Sequence, residues 1–470
     1  MKVLPPILVA FSFLALSAPI FGAPACPPVS AQLSDVRCPA NQPSAALARL
    51  GGDWITFASS PSRDAWLKAG SIGDPPLTAQ WNYSEDGTLP LDAPPLNGDL
   101  KTTAYTVGMP VGPSLSHGLV LAGSDNGYVY AVNAATGKLV WAHYLRNMAM
   151  ANPLVVGDTV YVTTGNAYFN FSETLKFAQG KRAVRGPGLN GLYALDLATG
   201  RERWHLYTDG EDMPTPTYAK GLVFFASGDG NAYAVDAITG RIRWKSDVHS
   251  IDGMSSPIFA EGKLYFGGSH PDAFYALDAV SGHIIWKQPL HDSTPAGFGA
   301  ATAAYAAGKI VVEELIRSGD LEAPAANLLV AMDAATGRIA WQVVLGKGPA
   351  PGGFATATPA IVEGIIYVSS IVGHATHALS LTDGRPLWNT SVKKAGAGLV
   401  VDDKIVYVAA GPHVISLARS DGHQIGSVRV GGYIGPATPL LAEDTLMVTN
   451  LYGWIHAIPL SRFQTDKPGQ

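Results

Sequence analysis

The sequence predicts an all-β chain: an eight-bladed β-propeller of four-stranded antiparallel blades, closed by pairing of N-terminal and C-terminal strands. Three observations carry this. A motif of alternating apolar residues, then Asp-x-x-Thr-Gly, then Trp four residues after the Gly, recurs roughly every 40 residues, the mark of stacked repeats or propeller blades. The 470 residues include 52 Gly and 34 Pro, which favours many short strands and turns. A strand-like segment without its expected neighbour stands near each end of the chain.

The copies run in order. Tyr130 to Gly137 leads to Trp141, Tyr193 to Gly200 to Trp204, Tyr233 to Gly240 to Trp244, and Tyr275 to Gly282 to Trp286. Val330 to Gly337 leads to Trp341, and His377 to Gly384 to Trp388. A degraded copy, Val414 to Gly422, ends at Gly426 in place of Trp. Each alternating run reads as a half-buried strand. Asp and Thr-Gly make the tight turn, with Asp bonding nearby backbone and Gly supplying positive φ. The Trp gives the next strand a large flat group to pack between neighbouring sheets. Upstream runs such as Leu222–Ala226 and Leu264–Gly267 supply another strand, and the Pro-containing segments before them supply the innermost one. That makes a four-stranded blade, A to D from the centre outwards.

Counting fixes the number of blades. An eighth C strand, Trp454 to Ile458, has no D strand after it, and Leu77 to Tyr83 reads as a D strand with no C strand before it. Joining them completes an eighth blade and removes the open edges. The expected organisation is a signal peptide over 1–25, a leader over 26–76 that packs on the propeller, the propeller over 77–460, and a tail over 461–470.

Lys2, the apolar run Ile7 to Leu16 and the small residues Gly22, Ala23 and Ala25 read as a secretory signal. The apolar run is too short to span a bilayer, and no other run is long enough. A periplasmic, cell-surface or extracellular location is expected. Cys26 and Cys38 are the two cysteines. Ala23-Pro24-Ala25-Cys26 lacks the Leu usual before a lipid-bearing Cys, so a Cys26–Cys38 disulfide is the expectation in an oxidising compartment. The formal net charge of −5 speaks against a nucleic-acid partner, which requires a basic face. Charged residues make up 15% of the chain, below the roughly 25% of soluble domains. Two readings of this stay open: a strand-rich exported protein with uncharged polar surface groups, or a protein that lives in acid.

Two blades carry extra residues between strands B and C: Gly165–Asn190, and about Glu314–Asn327. B–C and D–A connections of a meander emerge on one face, so both insertions are expected at the same channel mouth, where propellers place functional groups. The first holds Lys181, Arg182 and Arg185. The second holds Arg317 and Asp320, with Glu313, Glu314 and Glu322 nearby. Basic groups beside a carboxylate suit an anionic substrate and an acid–base group.

The Asp-x-x-Thr-Gly-x-x-x-Trp signature resembles the pyrroloquinoline-quinone-type (PQQ-like) propeller family over about residues 77–460. That family includes quinoprotein dehydrogenases, lipoprotein scaffolds of outer-membrane assembly, and tetrathionate hydrolases. Ser318-Gly319-Asp320 resembles the element that supplies a catalytic base in the dehydrogenases. Their calcium site needs Glu and Asn oxygens, whereas the corresponding stretch reads Gly267-Gly268-Ser269-His270. No adjacent-cysteine pair and no Cys-x-x-Cys-His haem motif occurs. PQQ and calcium are therefore disfavoured, and no cofactor or metal is expected. A scaffold would be lipidated and short-looped. The third resemblance fits best and implies an exported hydrolase of inorganic polythionates, cleaving tetrathionate to thiosulfate, sulfate and sulfur. Asp320 would be the acid–base group, and Arg317, Arg182, Arg185 and Lys181 would clamp a small inorganic anion. A homodimer is also expected at the level of the resemblance.

Overall fold

The computed structural model describes residues 81–84, 109, 111–125, 127–165, 189–250, 254–269, 272–289, 301–317, 324–349, 357–430, 433–435, 437–451 and 453–463. The chain divides into Met1–Gln42, outside the described residues, and Pro43–Gln470, which holds every described strand. Cys26 and Cys38 lie outside the described residues, as do the signal and leader segments.

Eight antiparallel four-stranded sheets follow one another around a propeller. Blade 1 runs from Ser114–Ser116 to Leu139–Tyr144, and blade 7 from Ala395–Val401 to Gln424–Arg429. Blade 8 takes Leu440–Ala442, Thr445–Thr449 and Trp454–Pro459 from the C-terminal end and its outer strand, Trp81–Ser84, from the N-terminal end. Trp81 pairs with Ala457 and Ser84 with Trp454, so the ring closes as expected. The A strands of blades 1 and 2, and those of blades 3 to 7 in turn, touch one another; the A strands are mostly buried, while the D strands alternate between exposed and half-buried positions.

The repeated turn explains its own residues. In blade 5, Asp333 Oδ1 accepts hydrogen bonds from the Thr336 backbone N–H at 2.8 Å and from its hydroxyl at 2.7 Å. Gly337 then takes φ of 74°, a conformation that costs a side chain-bearing residue energy. Each signature Trp locks its blade to the next one. Trp286 of blade 4 donates its indole N–H to the Ala334 carbonyl in the turn of blade 5 at 3.1 Å. A Cβ on Gly337 would stand 2.7 Å from the Trp286 ring. Trp141, Trp204, Trp244, Trp341 and Trp388 repeat the bond to the following blade.

Blade 7 lacks its Trp, and the C-terminal end replaces it. Leu460–Phe463 forms a 3-10 turn that buries Phe463 completely. Its ring sits edge-on to Tyr407 at 5.3 Å, much as Trp388 sits against Tyr367 at 5.9 Å. The first residues of the expected tail are thus part of the packed ring.

Candidate active site

Antiparallel pairing puts every B–C and D–A connection on one face, and the described strand ends that flank both insertions lie there. In blade 2 the B strand Thr159–Thr164 and the C strand Asn190–Asp196 bracket the first. Its root is tied down: Gly165 N–H donates to the Met148 carbonyl at 3.1 Å and Asp212 N–H to the Thr164 carbonyl at 3.0 Å. Asn147 Nδ2 bonds Asn190 Oδ1 at 2.9 Å. Gly165 is required here, because a Cβ would meet Met213 Cγ at 2.6 Å. Lys181, Arg182 and Arg185 lie outside the described residues.

The second insertion differs from its expectation as a loop over about Glu314–Asn327. Both of its ends are strand. Blade 5 extends its B strand over Lys309–Arg317, its C strand over Ala325–Asp333 and its D strand over Ile339–Gly348. Glu314 pairs with Leu328, Leu315 with Asn327, Ile316 with Ala326 and Arg317 with Ala325. The run Ile310-Val311-Val312-Glu313-Glu314-Leu315-Ile316 continues the sheet because its apolar side chains still find neighbouring blades to pack against. Arg317 closes the strand; Asp320 and Glu322 lie outside the described residues. Blade 5 therefore projects further from this face than blade 4, whose B strand ends at Gly268.

Glu313 and Glu314 are not solvated loop residues: both are fully buried. Strand alternation sends them opposite ways. Val311 packs with Ile366, Val368 and Leu379 of blade 6, and Glu313 follows it, its Oε2 accepting the Ala357 backbone N–H. Ile310 and Val312 pack with Tyr265, Phe274 and Ala276 of blade 4, and Glu314 follows them towards Asp272. Among the described residues neither Glu314 oxygen has a hydrogen-bond partner, and Glu313 Oε1 has none. Burial pushes the Glu313 carboxyl well above its ordinary range. Burial, with the Asp272 charge adding to it, pushes Glu314 to about 8.

A second group of acids stands between blades 2 and 3. Asp212 is buried in the D–A connection, bonded by the Thr208 hydroxyl, and burial raises its pKa well above the usual value. Asp229, in the B–C turn of blade 3, receives the Tyr233 hydroxyl at 2.5 Å and Lys245 Nζ at 3.3 Å. Glu211 is buried beside them. Sequence reasoning missed this group; the cue was Asp209-Gly210-Glu211-Asp212 standing immediately before the Pro-containing start of an A strand.

Among the described residues no three His, Cys, Asp or Glu side chains come together as a metal site, and no helix is long and apolar enough to cross a membrane. His377 and His456 are buried, and Asn450 Nδ2 lies 3.2 Å from His456 Nε2.

Three stretches of the chain, 81–250, 229–395 and 373–458, match the family described as outer membrane protein assembly factor BamB. The chain is 32% identical over 451 residues to a tetrathionate hydrolase of Acidithiobacillus ferrooxidans, covering 90% of this chain and 89% of that one. It is 29% identical over 422 residues to a tetrathionate hydrolase of Acidianus ambivalens, covering 81% of this chain and 78% of that one. A quinohemoprotein alcohol dehydrogenase from Pseudomonas putida HK5 superposes with a TM-score of 0.57 at 14% identity, over 90% of this chain and 82% of that one. At that identity the likeness concerns the fold.

Proposed function

We propose, from the premise that the chain belongs to the tetrathionate hydrolase family of PQQ-type propellers, that it is an exported hydrolase of inorganic polythionates. Membership makes it a hydrolase-type enzyme; the substrate, its products and the residue roles are our reading. The observation that carries the placement of the site is blade 5, the one described blade whose B, C and D strands all run at least nine residues. That extension ends at the paired residues Arg317 and Ala325, which flank Asp320 in the sequence, on the same face as Thr164 and Asn190, which flank the Lys181, Arg182 and Arg185 segment; this supports a site on that face.

The chemistry asks for little machinery. One tetrathionate and one water give sulfate, thiosulfate, elemental sulfur and two protons. Water attacks a terminal sulfonate sulfur, the adjacent S–S bond breaks, and its electron pair leaves on a disulfane monosulfonate that then sheds sulfur. Asp320 as carboxylate takes the proton of the attacking water and returns it to the leaving sulfur. An Asp titrates near pH 3.9, so this exchange is balanced in acid, where a His would stay protonated. Arg317, Arg182, Arg185 and Lys181 bind the two sulfonate ends, guanidinium forks matching their oxygens.

We also propose that no quinone or calcium takes part. Where a quinoprotein needs carboxylate and amide oxygens, the blade 4 strand ends in Gly267, Gly268 and buried Ser269, which do not fit that donor set. The test is turnover by the purified exported chain: thiosulfate release from tetrathionate at about pH 3, chosen near the Asp pKa, without added quinone or metal. Arg317→Ala is expected to raise KM roughly tenfold or more, the loss of a charge-assisted hydrogen bond. Activity that appears only with PQQ and calcium would overturn the reading.

A further inference from the structure

Blade 5 breaks the repeat at one place that its length does not explain. The strand registers align Glu313 and Glu314 with the last two B-strand positions of other blades. There blade 2 has Thr163 and Thr164, blade 4 Gly267 and Gly268, blade 6 Ser369 and Ser370, and blade 7 Ala409 and Ala410. Small residues suit these positions, since neighbouring sheets close on them. Blade 5 instead places a carboxyl in each of its two clefts, and both are fully buried. Such departures from a local rule mark functional positions.

We propose that Glu313 and Glu314 are positioning residues: as neutral carboxylic acids they wedge the extended hairpin of blade 5 between blades 4 and 6, and so fix the paired strand ends Arg317 and Ala325, which flank Asp320 in the sequence. The role of Asp320 rests on the reading given above; the wedge itself rests on packing.

The clefts suit an acid and not its anion. Among the described residues, the group that faces Glu313 from blade 6 is the Ala357 N–H. Opposite it in the hairpin stands Leu329. Glu314 has Leu328 opposite it in the hairpin and Asp272 towards it from blade 4. Among the described residues no cation faces either. A carboxylate there would be unsolvated, and at Glu314 it would also be repelled by Asp272 when that group is charged. Ionisation is relieved only if the clefts open to water, which lets the hairpin move. The wedge therefore works in acid and fails as pH rises.

The test compares the parent with Glu313→Gln, Glu314→Gln and the double variant, because an amide has the shape of the neutral acid and cannot ionise. Amide hydrogen exchange, corrected for its intrinsic pH dependence, is followed in Lys309–Arg317 and Ala325–Asp333. The hairpin of blade 7, Ile405–Ala410 with His413–Ala418, is the internal control. In the parent, protection of the blade 5 hairpin is expected to fall at least tenfold between pH 4.5 and 8, with blade 7 little changed. The Gln variants should keep that protection, and their pH–activity profile should extend at least one pH unit further to the alkaline side. Hairpin protection in the parent that does not respond to pH would overturn the proposal without any variant. So would Gln variants that lose protection alongside the parent. Absence of polythionate turnover in every form would overturn the substrate reading alone, since the exchange measurement needs no substrate.

Discussion

Glu314 of blade 5 and Asp272 of blade 4 face each other across the cleft between their sheets, and the second carboxyl adds to burial in raising the first to about 8. Buried acids of this kind set how stability depends on pH. Glu313 and Asp212 shift the same way, burial being the main cause in both.

The first prediction is a stability that declines from weak acid towards neutrality. An unfolded Glu titrates near 4.3, and folded Glu314 near 8. Between these values the folded chain holds a proton the unfolded chain has lost, so stability falls as pH rises, by up to about 1.4 kcal/mol per pH unit for such a group. His377 and His456 oppose it. Burial lowers them to about 4 and about 3, so their stabilising contribution is present above about 6.5, the unfolded His value, and is lost as pH falls through their folded values. Above pH 6.5 the acids act unopposed. The midpoint of thermal unfolding should therefore drop between pH 6.5 and 8, and Glu314→Gln should flatten that limb. A midpoint that rises over this interval contradicts the burial of these carboxyls.

A second prediction concerns the joints between blades. Gly337→Ala forces a side chain into positive φ and into the Trp286 ring, and should cost about 2–4 kcal/mol, the sum of backbone strain and overpacking. Trp286→Phe keeps most of the packing and removes the bond to the Ala334 carbonyl, so about 1 kcal/mol is expected. Urea unfolding midpoints check both. Equal costs would mean that the indole hydrogen bond, and not the close fit under the glycine, dominates the joint.

Phe463 gives a third. It stands in for the absent Trp of blade 7, and its carbonyl accepts the Ser416 hydroxyl at 3.2 Å. Phe463→Ala should lower stability by about 3 kcal/mol, the cost of emptying a buried aromatic site. Hydrogen exchange should rise in Gln424–Arg429, the strand beneath it. A change confined to the final residues would place Phe463 outside the ring.

Much of this was legible in the sequence, and the reasons differ by element. Asp-x-x-Thr-Gly with its Trp is a self-contained turn and packing unit, so each copy announced a blade wherever it fell. Closure followed because Trp81 and Trp454 each belonged to half a blade. The length of blade 5 was not legible in the same way. The sequence places a loop over about Glu314–Asn327 with Glu313 and Glu314 as charged groups near a candidate site, although the apolar residues on both sides of the two acids continue a strand pattern. Here the two acids are buried in the strand. Phe463 escaped notice because its partner, Tyr407, is 56 positions away (463 minus 407). Local patterning cannot supply such a contact. Asp320, Arg317, Arg182, Arg185 and Lys181 remain sequence-based assignments, with the Arg317 backbone at the end of its strand as the one described anchor among them.

The most direct measurement compares thiosulfate release from tetrathionate by the parent and by Asp320→Asn at about pH 3, near the Asp pKa. Circular dichroism confirms that both are folded. Removing an acid–base group should cut kcat by roughly 10²–10⁴-fold with KM little changed. A folded Asp320→Asn variant that turns over like the parent would contradict the assignment of the acid–base role to Asp320.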